Sequence, residues 1–268
     1  PLINIRFTRN ILMAVFTLTA IFTSGSHTFA QLNRQVPEEL NDVGIDEHLG
    51  DYIPLDAKFA DSNGDSVTIG SLLVEGKPVI LNPLYYECPM LCGLVIDGVM
   101  DVTQQMAWSP GDEFITISVS IDPTEDHTLA AEKKAFYLSK LNKPKAAEGW
   151  HFLTGNQQNI DKVVKAAGFK YNEIEDTGEF AHSAAIILLS PEGKITRYLY
   201  GIKYNEFDVR NALFESADGE IGNTVTKLVM YCYQYDPDSN SYAPVAINIM
   251  KLGGLATLII LGIFLGLL

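Results

Sequence analysis

Between residues 59 and 215, short apolar or alternating runs take turns with segments of helical period, which restricts the chain to an α/β architecture. Residues 76–85 hold Val79, Ile80 and Leu81 in one run, suited to a buried strand. Residues 94–106 read as a helix, and 114–121, alternating and rich in β-branched residues, as another strand. Helix 129–141 carries Ala130, Ala131, Ala135, Phe136 and Leu138, and strand 150–153 follows. Residues 156–168 are helical again, with Ile160, Val163, Val164 and Ala167 at 3,4 spacing and Gly168 as the stop. Asn63-Gly64 marks a hairpin ahead of this series, and Pro191-Glu192-Gly193 marks one between strands 183–189 and 195–200. A helix over 207–215 closes the run.

The resulting order, a hairpin and then β-α-β-α-β-α-β-β-α, resembles a thioredoxin-type fold with additions. No internal repeat, Walker loop or GxGxxG interrupts it. Nineteen basic against 33 acidic residues leave a net charge of −14, which argues against a nucleic-acid partner, since phosphate neutralisation needs clustered Lys and Arg. Three cysteines are too few for a disulfide-stapled scaffold.

The hydrophobic excess sits at the two ends. Arg6 and Arg9 precede an apolar run over 11–22, and Thr28-Phe29-Ala30 places small residues at −3 and −1 of a cleavage site, so 1–30 reads as a signal peptide or else an N-terminal anchor. Residues 31–50 are polar and acidic and read as a tether. From 245 to 268 the single charge is Lys251, placed where it can snorkel, and the run is long enough to cross a bilayer, which needs about 20 residues. The expected organisation is a globular domain over 51–217, a juxtamembrane extension over 218–244 and a transmembrane helix over 245–268. Export plus this span would place the domain on the extracytoplasmic, periplasmic side of the cell membrane, where close cysteines form a disulfide unless a reductant or metal holds them.

The chemistry concentrates in Tyr85-Tyr86-Glu87-Cys88-Pro89-Met90-Leu91-Cys92-Gly93, at a strand-to-helix junction. Free N–H groups and the positive dipole end of a helix favour thiolate there. Cys88 and Cys92 could bind a soft ion or close a disulfide as a redox-active pair. Of the five histidines, His27 falls in the signal and His48 in the tether, while His127 and His151 read as surface or strand-end residues. His182, after a polar loop over 173–179 and at the head of strand 183–189, can reach the cysteine edge if that strand neighbours the one leading into Cys88. No proline lies between Pro144 and Pro191, so the cis-proline of a dithiol exchanger is missing and His182 stands in its place.

Cys88-Pro-Met-Leu-Cys92, Val119-Ser-Ile-Asp-Pro-Thr-Glu-Asp126, Phe180-Ala-His-Ser183 and Pro191-Glu-Gly193 together resemble the Sco/SenC family over about residues 50–217. These are membrane-anchored, thioredoxin-like copper proteins that help assemble the dinuclear copper centre of cytochrome c oxidase. The resemblance implies that Cys88, Cys92 and His182 are ligands for copper, as Cu(I) or Cu(II). It makes Asp122 a motif residue near the site or, equally, one that shapes the loop after its strand. Partners implied are the copper-bearing subunit of the oxidase and, through the C-terminal helix, membrane lipid. This chain departs from the family pattern at Gly93, where a second proline is common, at Ala181, where an acid often precedes the histidine, and in carrying its clearest span at the C-terminal end. Cys232, among Tyr231, Tyr233 and Tyr235, reads as a free interfacial thiol rather than a ligand.

Three functions are weighed on these residues. A copper chaperone fits the soft donor set, whereas a structural zinc site would ask for a fourth protein ligand. A membrane-tethered thiol-disulfide oxidoreductase would reduce a partner's cysteines, but its CxxC and cis-proline are lacking. A peroxidase of the peroxiredoxin kind would need Thr where Tyr85 stands.

Overall fold

The computed structural model describes residues 43–87, 92–174, 177–218, 233–236, 241–244, 251–257, 259–260 and 263, without the side chain of Cys92 or those of 233–244. The chain divides into two compact units, Pro1–Pro37 and Glu38–Leu268, and every described residue belongs to the second.

Five strands make the main sheet: β4 (Val79–Leu84), β5 (Ile115–Ser120), β6 (Trp150–Leu153), β9 (Ala185–Leu189) and β10 (Ile195–Tyr200). Their order is β10-β9-β4-β5-β6, with β4, β5 and β6 parallel and β9 antiparallel to both β4 and β10. The parallel pairs need crossovers, supplied by the helices α2 (Cys92–Gln105) and α3 (His127–Leu141). Each strand and helix expected from the sequence between 79 and 216 is present within a few residues.

Alternation in β5 does not mark an exposed face. Ile115, Ile117 and Val119 are buried, and so are Thr116, Ser118 and Ser120, because both sides of the sheet are covered. The Ser118 hydroxyl accepts a hydrogen bond from Trp150 Nε1 at 3.0 Å. Trp150 packs with Phe152 and with Tyr137 of α3, at ring separations of 5.4 and 5.9 Å, forming an aromatic layer beneath that helix. Phe136, read from the sequence as part of the helix's apolar set, is instead exposed, and Tyr137 takes the core position beside it.

The sheet's outer edges are both covered. The hairpin β2 (Lys58–Ala60) and β3 (Ser66–Thr68), turned by Asn63-Gly64 with Gly64 at φ +85°, joins the end of β6 through paired Ala60–Thr154 backbone bonds. On the other side the backbone of 50–53 bonds along β10 and its turn, through Gly50 to Ile195 and Ile53 to Gly193.

A second sheet was not legible in the sequence. It has three strands, β1 (Gly44–Ile45), β7 (Phe169–Ile174) and β8 (Glu179–His182), all antiparallel, in the order β1-β7-β8. The stretch read as a tether thus ends in a strand of the domain, and the polar loop expected over 173–179 falls within a β-hairpin. Polar residues outline its exposed side, while Phe169, Tyr171 and Phe180 supply the apolar one. Helix α5 (Gln157–Ala166), capped by the Asn156 side chain on the Asn159 amide, leads into it and buries Ile160, Val163 and Val164.

The short helices α1 (Ile69–Leu72) and α4 (Ala146–Gly149), helix α6 (Glu206–Ser216) and a two-stranded ladder of β11 (Tyr233–Asp236) and β12 (Ser241–Pro244) complete the regular structure. Among the described residues no helix is long and apolar enough to cross a membrane. Of the segment read as a span, 251–257, 259–260 and 263 are described, as helix, and the rest lie outside the described residues, as does the signal or anchor over 1–30.

Gly168 joins α5 to the second sheet at φ +61°, and its carbonyl accepts the Asp46 amide at 2.8 Å. A methyl group there would sit 1.7 Å from the Asp46 carbonyl oxygen. Gly168→Ala is therefore expected to lower the unfolding free energy by about 2 kcal/mol or more, combining left-handed strain with displacement of β1. Urea denaturation measures it, and an unchanged midpoint would contradict this account.

Candidate metal centre

Strand β4 ends at Leu84, and Tyr85, Tyr86 and Glu87 lead on to Cys88. Helix α2 starts at Cys92, so the expected strand-to-helix junction is present. Only Cys92 is placed in the helix. Cys88 lies outside the described residues, as does Cys232.

His182 is the last residue of β8, paired with Tyr171, rather than the head of the next strand, which begins at Ala185. The hairpin's hydrogen bonding claims it. Its nearness to Tyr85, on the approach to Cys88, nevertheless follows from topology. Strand β9 runs antiparallel to β4, with Val79 opposite Leu189 and Leu81 opposite Ile187, so the start of β9 meets the end of β4. The ring of Tyr85, three residues before Cys88, stands edge-on to His182 at 6.1 Å and to Phe180 at 5.5 Å. Phe169 borders His182 at 5.7 Å.

This aromatic setting decides the protonation of His182. Burial pushes its pKa down, because the imidazolium loses hydration; the hydrogen bond to Ser183 opposes this only in part. Nδ1 lies 2.9 Å from the Ser183 carbonyl oxygen, which can only accept, so Nδ1 carries the proton and Nε2 the lone pair. A neutral ring tied at Nδ1 to a carbonyl is the form in which histidine ligates a metal through Nε2. Among the described residues no three His, Cys, Asp or Glu side chains converge on a metal position; the set Cys88, Cys92 and His182 includes two side chains outside them.

On the other side of the junction stands a residue the sequence reading passed over. Glu125 is 9 % exposed. Its Oε2 accepts the Tyr86 amide at 2.9 Å and its Oε1 accepts the Glu87 amide at 2.8 Å. The Ser120 hydroxyl donates to Oε2 at 2.6 Å. Burial raises the Glu125 pKa, against the lowering effect of these three bonds. Tyr86 is held from its side chain as well, its hydroxyl lying 2.9 Å from the Ser118 carbonyl and 3.1 Å from that of Leu153. Glu125 lies within the 119–126 motif, but nothing in the residue types marks it out from Asp122 and Asp126, and a Glu ahead of a helix is ordinarily solvated.

Asp122 shapes its loop: Oδ1 accepts the Thr124 amide at 2.7 Å and the Thr124 hydroxyl at 2.6 Å. Asp126 caps α3 through the Thr128 and Leu129 amides. Three other histidines have neighbours of their own. His48 Nδ1 is 3.0 Å from the Ala166 carbonyl. His127 packs on the Gly64 turn and borders a cleft of about 500 Å³ lined also by Phe59, Pro123 and Asn156. His151 lies in β6.

The SCO1/SenC family model matches residues 52–213. The chain belongs to that family. No curated protein matches it significantly. Among solved structures, a candidate electron transfer protein from Aquifex aeolicus VF5 is 28 % identical with a TM-score of 0.56, the match covering 64 % of this chain and 95 % of that one. BsSco, described as a member of the Sco family of cytochrome c oxidase assembly proteins with a disulfide switch, is 19 % identical at a TM-score of 0.50, over 66 % of this chain and 96 % of its own. Arabidopsis thaliana ScoI, solved with copper bound, is 22 % identical at 0.45, over 64 % and 97 %. The mixed α/β fold is that of this thioredoxin-like family.

Burial, and secondarily the charge of Lys134, push His151 down to about 4, against the pull of Asp61. Unfolded, it titrates near 6.5. The unfolded chain then binds more protons between these values, so this contribution is complete above pH 6.5 and is lost as pH falls toward 4, by about 3 kcal/mol at most. His182 adds a slope of the same sign. His151→Gln should flatten the pH dependence of the urea midpoint over that window; an unaltered slope would refute the assignment.

Proposed function

We propose that this SCO1/SenC member is a membrane-anchored copper chaperone that loads the dinuclear copper site of cytochrome c oxidase, with Cys88, Cys92 and His182 as the ligands. The observation that carries it is the setting of His182: half-buried, its Nδ1 on the Ser183 carbonyl and its ring against Tyr85, on the approach to Cys88. Thiolates suit Cu(I), imidazole accepts both oxidation states, and three ligands leave a position open. Openness matters for handing an ion on, because an acceptor's ligand can enter before a donor ligand leaves. A disulfide between Cys88 and Cys92 would remove two of the three donors, so redox state would gate loading.

The same pair supports a second reading, a thiol-disulfide reductase for the acceptor's cysteines. In that exchange the dithiol would give two electrons and two protons to the acceptor's disulfide and itself close to a disulfide. The position of Cys92 at the head of α2 favours thiolate and is the observation behind it.

In the full chain, reduced and kept under nitrogen in detergent, one copper per chain is expected. Cys88→Ser or Cys92→Ser should eliminate tight Cu(I) binding, while His182→Ala should weaken Cu(II) more than Cu(I), since Cu(I) tolerates two thiolates alone. Competition titration with a Cu(I) chelator reads both. A reduced wild-type chain that took no copper yet rapidly reduced a cysteine-pair substrate would transfer the assignment to the reductase.

The anchor and the compartment form part of the proposal. The apolar segment 245–268 would hold the domain outside the cytoplasm and beside membrane partners, raising their effective concentration. Truncation before Val245 should release the protein from membranes on fractionation. Retention of the truncated chain would assign the anchoring to the apolar run over 11–22.

A further inference from the structure

The ladder between β4 and β5 ends with Leu84 opposite Ser120, and the Ile121 amide bonds back to the Leu84 carbonyl at 2.7 Å. Further along the cysteine approach, the amides of Tyr86 and Glu87 bond to a side chain instead of a strand, and both go to Glu125. A buried carboxylate is costly unless its charge is met by donors. Here three donors meet it, and it takes part in no ion pair among the described residues.

The arrangement demands this chemistry. Two amides and a hydroxyl call for acceptors on both oxygens, and a neutral Gln would turn N–H groups toward one of those amides. The held segment also divides to two sides. Tyr86 runs to the Ser118 and Leu153 carbonyls, while Tyr85 runs to Phe180 and His182. Moving the backbone at 86–87 therefore moves both the ring against His182 and the start of the cysteine loop.

We propose that Glu125 is a positioning residue for the metal centre: by gripping the two backbone amides just ahead of Cys88, it sets where the cysteine loop lies relative to His182. This rests on the reading of Cys88, Cys92 and His182 as the ligands. Among the described residues Glu125 bonds to Tyr86, Glu87 and Ser120, and it acts through the chain it holds. It is to the cysteines what a residue bonding to a metal-bound histidine is to that ring, a support whose loss commonly costs 10- to 100-fold in affinity.

The test compares the full-length chain with Glu125→Gln, Glu125→Asp and Ser120→Ala, and with Asn205→Ala, which removes the cap of α6 on the Phe207 amide as a destabilising control outside the Glu125 hydrogen bonds. Thermal midpoint, Cu(I) affinity, and the thiolate-to-copper absorption and EPR signature of the Cu(II) form are measured on each. Glu125→Gln should lower copper affinity about 10- to 100-fold and change the signature. Glu125→Asp, which keeps both oxygens on a shorter arm, should recover part of the loss. Ser120→Ala should shift both readouts less, in the same direction, and supplies the answer if Glu125→Gln does not fold. Asn205→Ala should lower the thermal midpoint and leave affinity and signature alone. Copper affinity and signature in folded Glu125→Gln no different from wild type or from Asn205→Ala would overturn the inference while leaving the copper reading intact. If the wild-type chain binds no copper, the copper reading fails, and the inference is decided on the Cys88–Cys92 dithiol–disulfide equilibrium with glutathione. A shift of about tenfold in Glu125→Gln but not in Asn205→Ala sustains positioning of the loop, and no shift overturns it.

Discussion

The burial of β4 between two neighbours of opposite direction is the constraint on which the rest depends. All six of its residues are buried, and it is hydrogen-bonded to parallel β5 on one side and antiparallel β9 on the other. A parallel neighbour brings the end of β5, with the loop that carries Glu125, to the end of β4. An antiparallel neighbour brings the beginning of β9, and with it the end of the β7–β8 hairpin, to the same place. A strand with two parallel partners would have left His182 at the opposite edge. The chemistry is therefore gathered by strand direction before any side chain is chosen.

Much of this was legible because the core elements obey local rules. Trp150–Leu153 and Ile195–Tyr200 coincide with the expected strands, and α5 has the expected Ile160–Val163–Val164 stripe, buried, and its Gly168 stop. Where the reading slipped, tertiary context had overridden the local signal. Glu173 and Glu179 pull toward a loop assignment, yet Phe169, Tyr171 and Phe180 have an apolar surface to cover, and the hairpin forms over them. The same surface draws Gly44 and Ile45, in a stretch composed like a tether, into a strand against Lys170 and Phe169.

The candidate site is read from residue type, whereas its supports are seen only in the structure. Two cysteines at a strand-to-helix junction advertise their chemistry, and a late histidine can be placed near them by strand order. The tautomer of His182 depends on the Ser183 carbonyl, and the grip of Glu125 depends on two backbone amides. Neither leaves a trace in residue identity, because any residue brings the same backbone groups. Asp122, the acid that stands out in its motif, turns out to close its own loop, while the less conspicuous Glu125 reaches the cysteine approach.

The division of the proposed ligands between two sheets bears on how such a centre would work. The cysteine segment grows from the main sheet, whose ladders on both sides of β4 resist displacement. His182 ends a hairpin of the three-stranded sheet, where β1 contributes only two residues. Local opening free energy falls with fewer buried contacts and shorter ladders, so the histidine side of the centre is the more easily displaced. Release to an acceptor would then begin by loosening imidazole, which leaves Cu(I) on two thiolates, a coordination it accepts, until an incoming sulfur replaces one of them. On the proposed ligand set, the strand laddered on both sides leads toward the thiolates, and the shorter ladder carries the ligand whose loss Cu(I) would best survive.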